Sequence, residues 1–404
     1  MKRISFFLVS LILLASGVIS AQEATPSAAV PQNEQQTQLE VTKPEQQAQT
    51  EVTKPEPPKA EAWYEKTNFN GDFRYRHEMI SEPGKTLQNK ERIRARYGIK
   101  ADPLDYLTAV FQLATNYNDP VSTNQTLGDG FSGKAVRIDL AYFDWHPNYC
   151  YLKGLHLFGG KMKNPFYDPG KSQLIWDSDL NPEGLALSYN KDIMKDLNLF
   201  GAFSGFYLLE RATRSDSWLL GLQGGFKYKI IDDKLYLKSA IGYFDLTSIK
   251  GYPTIYDITK SYGNTVDASK NYAFNYREFE FAGEVGGKVW KYPVSAFGDF
   301  VKNTAAGVVN DLGWLAGFSI GEAVEPLTWA LRYDYRKLES DAVLGVFPYS
   351  DSFGGGTNGK GHQIVAEMAV AKNVKLGVTY LYDKKGVSGG TKYQRAMFDF
   401  SFKI

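Results

Sequence analysis

A chain of 404 residues with a formal net charge of +1 lacks the basic excess that bulk nucleic-acid binding needs. Its single cysteine, Cys150, excludes an intrachain disulfide and a thiolate metal cluster, and His77, His146, His156 and His362 lack metal-ligand spacing. With 26 Tyr, 25 Phe and 38 Gly, and no stretch beyond the extreme N-terminus near the ~18 apolar residues of a transmembrane helix, the chain is either soluble or a membrane β-barrel whose alternation hides it from hydropathy averaging.

Residues 1–21 read as a cleaved signal peptide. Lys2 and Arg3 supply the positive start, 6–19 the apolar core, and Ser20 and Ala21 the small residues at the cut. Residues 22–66 are rich in Gln, Glu, Pro and Lys, and the unit Glu-Val-Thr-Lys-Pro-Glu recurs at 40–45 and 51–56. Such a segment cannot bury a core and reads as a disordered periplasmic tail, either a solvated spacer or a tether to the cell wall or a partner.

From 67 to 404 the character is constant. In 68–80, Phe69, Gly71, Phe73, Tyr75 and Met79 alternate with Asp72, Arg74, Arg76 and Glu78. In 91–101, Ile93, Ala95, Tyr97 and Ile99 alternate with Arg92, Arg94, Arg96 and Lys100. Strict alternation marks strands. An aromatic face backed by arginines suits a wall between lipid and water. Sixteen such segments follow in order, roughly 68–80, 91–101, 106–117, 136–145, 155–163, 184–190, 196–208, 217–230, 235–245, 272–289, 294–302, 312–321, 328–338, 362–370, 375–382 and 393–404. Tight turns alternate with long Gly-, Ser-, Asn- and Asp-rich connections, as when all turns of one kind lie on one side of a membrane.

The last segment sets Phe398, Phe400, Phe402 and Ile404 against Asp399, Ser401 and Lys403. Phe400, Phe402 and Ile404 fit a C-terminal assembly signal read by the barrel-assembly machinery. Trp145, Trp218, Trp290, Tyr292, Trp329, Tyr380 and Tyr382 lie near segment ends, where interfacial girdles form. A soluble sandwich or solenoid would have to bury the charged faces in a dry core at great cost. A 16-strand interior is too wide for side chains to fill and is expected to hold water. The expected fold is therefore an all-β transmembrane antiparallel barrel of about 16 strands, with short periplasmic turns and long extracellular loops.

Together, GDFRYRHE, RIRARYGIKA, FQLATNYNDPVSTNQTL, IDLAYFDWHP, GGKMKNPF, WDSDLNPEGLALSY and PVSAFGDFVKN resemble the putative-porin family of Gram-negative outer membranes, from about 67 to the C-terminus. The resemblance implies a 16-stranded passive channel in outer-membrane lipid and names no solute. By analogy with other 16-stranded porins it allows a homotrimer. In general porins the loop after the fifth strand folds into the barrel and narrows it.

Parity places Arg74, Arg76, Arg92, Arg94, Arg96, Lys100, Arg137, Lys161 and Lys163 on a basic lumen wall, with Asp72, Glu78 and Asp139 among them. Further round, Glu278, Glu280, Glu284 and Asp299 oppose Arg332 and Arg336. The connection after the fifth segment carries Asp168, Asp177 and Asp179, with Glu183 just beyond. An acidic constriction loop facing this wall would set a transverse field, and the cation surplus points to weak anion preference. No nucleophile or acid–base constellation and no cofactor motif is present, so the reading is a non-enzymatic channel for small hydrophilic solutes or ions, without cofactor or metal. Two alternatives are a structural or interaction barrel tethered through its tail, and a channel specific for phosphate or sugars. Most aromatics fall on the lipid parity, which disfavours sugars.

Overall fold

The computed structural model describes residues 63–232 and 234–404. The expected signal peptide and the tail up to residue 62 lie outside the described residues. Trp63–Lys66 form a single 3-10 turn that leads into the sheet.

The strands are β1 (Thr67–Ser81), β2 (Gln88–Leu104), β3 (Leu107–Thr115), β4 (Gln125–Thr126), β5 (Val136–Trp145), β6 (Leu155–Lys161), β7 (Glu183–Met194), β8 (Leu197–Leu209), β9 (Ser217–Ile231), β10 (Leu235–Leu246), β11 (Tyr276–Val289), β12 (Tyr292–Asn303), β13 (Leu312–Gly321), β14 (Trp329–Leu338), β15 (Gly359–Ala371), β16 (Val374–Lys385) and β17 (Thr391–Lys403). All pairings are antiparallel. β4 is a two-residue strand in a loop, paired to β2, and the other sixteen close when β1 pairs with β17. This is the expected 16-stranded barrel. The expected segment 272–289 begins later, at Tyr276, because 272–275 belong to the preceding loop, and the segment expected at 362–370 is longer, Gly359–Ala371.

The side-chain period of two is visible throughout. In β9, Leu219 and Gln223 are buried while Leu220 and Leu222 are exposed. Phe69, Tyr75, Phe203, Ile241, Phe281, Phe398 and Phe400 are likewise exposed, so the outer wall is the apolar one. At the closure Phe402 lies opposite Phe73 with ring centroids 5.4 Å apart, and Ile404 N–H donates to the Gly71 carbonyl at 2.9 Å.

The interior departs from expectation. It is not simply water-filled. One contiguous apolar core joins inward residues of the wall, Phe206, Leu219, Phe244, Phe297, Val301 and Leu315, to three loops that fold into the barrel. Loop 162–182 contributes Phe166, Leu174, Ile175 and Trp176, loop 247–275 contributes Ile249, Ile255 and Tyr272, and loop 339–358 contributes Val343, Leu344, Phe347 and Phe353. The lumen is too wide for wall side chains alone, but whole loops can fill it. Glycines on the wall and on the loop make room. A Cβ on Gly221 would sit 2.4 Å from the Phe166 ring, and one on Gly170, at φ 54°, would sit 2.3 Å from the Phe297 ring.

Polar clasps knit the loops together. Asp177 N–H donates to the Phe347 carbonyl at 2.7 Å, and the Asp177 carboxylate accepts from Ser350 N–H at 2.9 Å. Asn264 donates to the Ser340 and Val343 carbonyls at 2.7 and 2.9 Å and accepts from Gly345 N–H at 2.7 Å. Buried polar groups carry such partners because an unsatisfied one is costly.

Candidate functional site: the charged constriction

The register of the first hairpin sets Arg74 opposite Arg94, Arg76 opposite Arg92, and Asp72 opposite Arg96. Arginines facing arginines repel unless carboxylates are interleaved. The barrel supplies them from three directions. From the hairpin itself, Asp72 accepts from Arg94 at 2.8 Å and from Arg96 at 2.6 Å. From β17 across the closure, Asp399 takes both arms of the Arg76 fork at 2.7 Å each, a bidentate pair of the strong kind.

The third source is the loops. Asp179 lies 4.0 Å from Arg94 and 3.7 Å from Arg96, and accepts from Thr123 N–H and Oγ1–H at 3.2 and 3.0 Å. Asp351 lies 3.3 Å from Arg76 and 2.7 Å from Arg395. Arg395 also donates to Glu78 at 2.7 Å, and Arg92 donates to the same oxygen at 3.3 Å. Burial alone would push the Asp179 carboxyl up, but Arg94, Arg96 and Arg74 outweigh it and hold it below the ordinary carboxylate value. Burial opposes ionisation of Asp351 too, and Arg395 and Arg76 override it, holding that carboxyl far below the ordinary value. Asp177, away from the arginines, is pushed well up by burial and by Asp179.

Arg74 differs from its neighbours. Its Nη2 donates to Asn124 Oδ1 at 2.6 Å, its Nε is buried without a partner, and among the described residues no carboxylate lies within 4.0 Å of it. It borders a cavity of about 600 Å³ whose lining includes Arg76, Arg94, Asp168, Asp179 and Asp351. Ser350 and Asp351 also border a second cavity of about 250 Å³ towards the long-loop end, lined by Lys90, Arg92 and Arg395. The two cavities share Ser350 and Asp351 in their linings, so this loop tip stands between them beside the basic wall.

Arg74, Arg76, Arg92, Arg94 and Arg96 share the inner face of the first hairpin, and the other basic residues expected on the wall are placed differently. Lys161 is not on it. Lys161 pairs with Ala141, which pairs with exposed Phe111, so it stands on the outer face, 2.8 Å from Glu183. Glu183 shares that face with exposed Leu185 and is no part of the constriction loop. Lys163 lies past the end of β6, where parity no longer applies, and turns inward to Asn181 Oδ1 at 3.1 Å. Lys100 is half-exposed, 3.9 Å from Asp102, and Arg137, opposite inward Ala114, is exposed. Asp139 sits at a register shift in β5 and accepts from Gln112 and Asn181 at 2.6 and 2.7 Å.

Of the expected acidic loop, Asp179 faces the arginines. Asp177 clasps loop to loop, and Asp168 closes its own turn through Ser172 at 2.5 Å and Gln173 N–H at 3.1 Å. Glu278, Glu280 and Asp299 point inward but lie beneath the loops, accepting from Leu344 N–H at 3.0 Å, Gln223 at 2.7 Å and Ser172 at 2.5 Å. Glu284 borders the larger cavity and accepts from Tyr236 at 2.5 Å and Gly170 N–H at 3.2 Å. Arg332 and Arg336 share Asp334 at 2.8 Å each, and both donate to Gln363. Arg395, Asp399, Asp334 and Asp351 are the members that parity reading of the first strands missed. The first three show the same alternation in later strands, whereas Asp351 lies in a loop and carries no such signal.

This wall and barrel accord with what the chain matches. The putative-porin family model covers residues 82–274 and 263–401. The chain belongs to that family. Its members are channel proteins, not enzymes. Among solved structures, OprB of Pseudomonas putida at high pH is similar, with a TM-score of 0.56 and 11% identity over 84% of this chain and 95% of that one. OmpF of Salmonella typhi in complex with daunomycin has a TM-score of 0.52 and 13% identity over 84% of this chain and 97% of that one. At such identity the likeness shows a shared porin fold. No curated protein sequence matches the chain.

Proposed function

We propose that this porin forms a channel for passive diffusion of small hydrophilic solutes across the outer membrane, with a weak preference for anions. The observation that carries the reading is Arg74, a guanidinium beside the larger cavity with a neutral amide partner and no carboxylate within ion-pair distance among the described residues. Around it Arg76, Arg94 and Arg96 are each matched by Asp399, Asp351, Asp72 or Asp179 and offset them locally. Paired charges orient dipolar solutes and penalise apolar ones, and the unmatched charge sets the sign of selectivity, as charged rings do in other pores. Support also comes from family membership and from the cavity of about 600 Å³ that lies beside the basic wall.

Planar-bilayer recording of the purified protein in a potassium chloride gradient tests the reading. Stepwise conductance with a reversal potential of anion-selective sign is expected. Absence of steps would remove the channel reading, and a cation-selective sign would remove the preference.

A further inference from the structure

We propose that the outer rim of β14–β17 is a binding surface for the phosphate-bearing headgroup of a membrane lipid. Lys337 lies directly opposite Lys360, Lys360 opposite Lys384, and Lys384 opposite Lys392. Four lysines thus stand in one row across four adjacent strands, about 14 Å long at roughly 4.8 Å per strand. One dyad further down the same faces lie Tyr335, His362 and Tyr382, and below them Tyr333, Ile364 and Tyr380. Tyr382, Tyr380 and Ile364 are exposed, so the row stands on the outer wall immediately above an aromatic and apolar band. That is the level at which hydrocarbon gives way to headgroups.

Like charges directly opposite one another destabilise a sheet unless something neutralises them. Elsewhere on this outer rim the protein supplies the counter-charge. Lys161 has Glu183 at 2.8 Å, Arg277 has Asp245 at 3.7 Å, and Lys302 has Asp311 at 3.6 Å. In the row itself Lys337 has Glu339 at 2.8 Å. Lys360, Lys384 and Lys392 have no carboxylate within 4.0 Å among the described residues. The Lys392 ammonium instead lies 5.2 Å from the centre of the Tyr382 ring. Three unneutralised ammoniums at the headgroup level match a phosphate, which presents up to two negative charges and three acceptor oxygens. The apolar band beneath them is surface that acyl chains cover, which makes the occupant a lipid.

Native mass spectrometry of the full chain in neutral detergent, with dioleoyl phosphatidic acid and dioleoyl phosphatidylcholine at equal concentration, tests the proposal. The wild type is expected to retain phosphatidic acid at least tenfold over phosphatidylcholine. Combined Lys360→Gln, Lys384→Gln and Lys392→Gln should bring the two lipids to parity, and the same positions as Lys→Arg should keep the preference. Equal retention of both lipids by the wild type, an unchanged preference in the Gln variant, or full displacement of the lipid by millimolar inorganic phosphate would overturn it. So would pairing with a second copy of the chain through this row in place of lipid.

Discussion

Arg395 Nη2 lies 2.7 Å from Asp351 Oδ1 and 2.7 Å from Glu78 Oε2, so one guanidinium of the last strand ties a loop carboxylate to the first strand. The contact joins barrel closure to constriction. Glu78 and Arg395 belong to the seam between β1 and β17, and Asp351 belongs to loop 339–358, whose apolar run fills the interior. Sealing the wall and positioning the loop therefore use the same side chains.

Replacing Asp351 by Asn should release that loop from the wall. Arg76 would keep Asp399 and Arg395 would keep Glu78, yet both would lose a buried counter-charge. Breaking such a pair costs on the order of 3–5 kcal/mol. A lower temperature for the heat-induced mobility shift in gel electrophoresis, with noisier and larger single-channel steps, is the expected outcome. Unchanged steps would show that the loop stays in place without this clamp.

Arg76 and Arg74 should behave differently. Arg76→Gln strips the bidentate partner from Asp399 and one from Asp351, and is expected to lower unfolding temperature clearly, again by about 3 kcal/mol. Arg74→Gln leaves no carboxylate without a partner and should be near neutral for stability, costing about 1 kcal/mol for its hydrogen bond to Asn124. Denaturation of the two variants side by side checks the contrast.

Selectivity should persist in mild acid. Asp179 and Asp351 have folded values held below the ordinary carboxylate range by arginines. For such depressed groups the clamp is fully present above the unfolded value near 3.9 and is lost only as pH falls through the lower folded value. Asp177, raised by burial, protonates before either of them, but it does not line the larger cavity and clasps two loops. The reversal potential is therefore expected to hold from pH 7 to about 4.5, measured in the same gradient. A reversal of sign in that window would mean that other carboxylates set it.

Trp176 packs edge-on to Phe244 at 5.1 Å and lies 6.2 Å from the Phe347 ring, and so joins two inward loops to β10. Trp176→Ala should cost about 3–5 kcal/mol by leaving a cavity. Single-channel conductance is expected to rise as the loops loosen. Equal conductance would show that the plug does not limit the passage.

The wall was legible from residues alone because lipid on one side and charge on the other force a period of two, as in Arg92, Arg94 and Arg96 against Ile93, Ala95 and Tyr97. The pairing of Asp179 with Arg94 and Arg96 was legible as well, through the acidity of one loop. The filled interior was not. In β8, inward Phe206 is flanked by exposed Phe203 and Tyr207, so apolar residues on both faces hide the inner one. A signal did exist in the run 342–347, Ala-Val-Leu-Gly-Val-Phe, which is too apolar for a solvated loop. Alternation does not carry from Lys161 to Lys163, because the strand stops at Lys161 and the chain turns in.

The most direct test of the constriction is the reversal potential of Arg74→Glu beside that of the wild type in a planar bilayer under a salt gradient. The wild type should reverse with anion-selective sign and the variant with cation-selective sign, both with stepwise conductance. An identical potential in the two proteins, or no conductance in the wild type, would contradict the account.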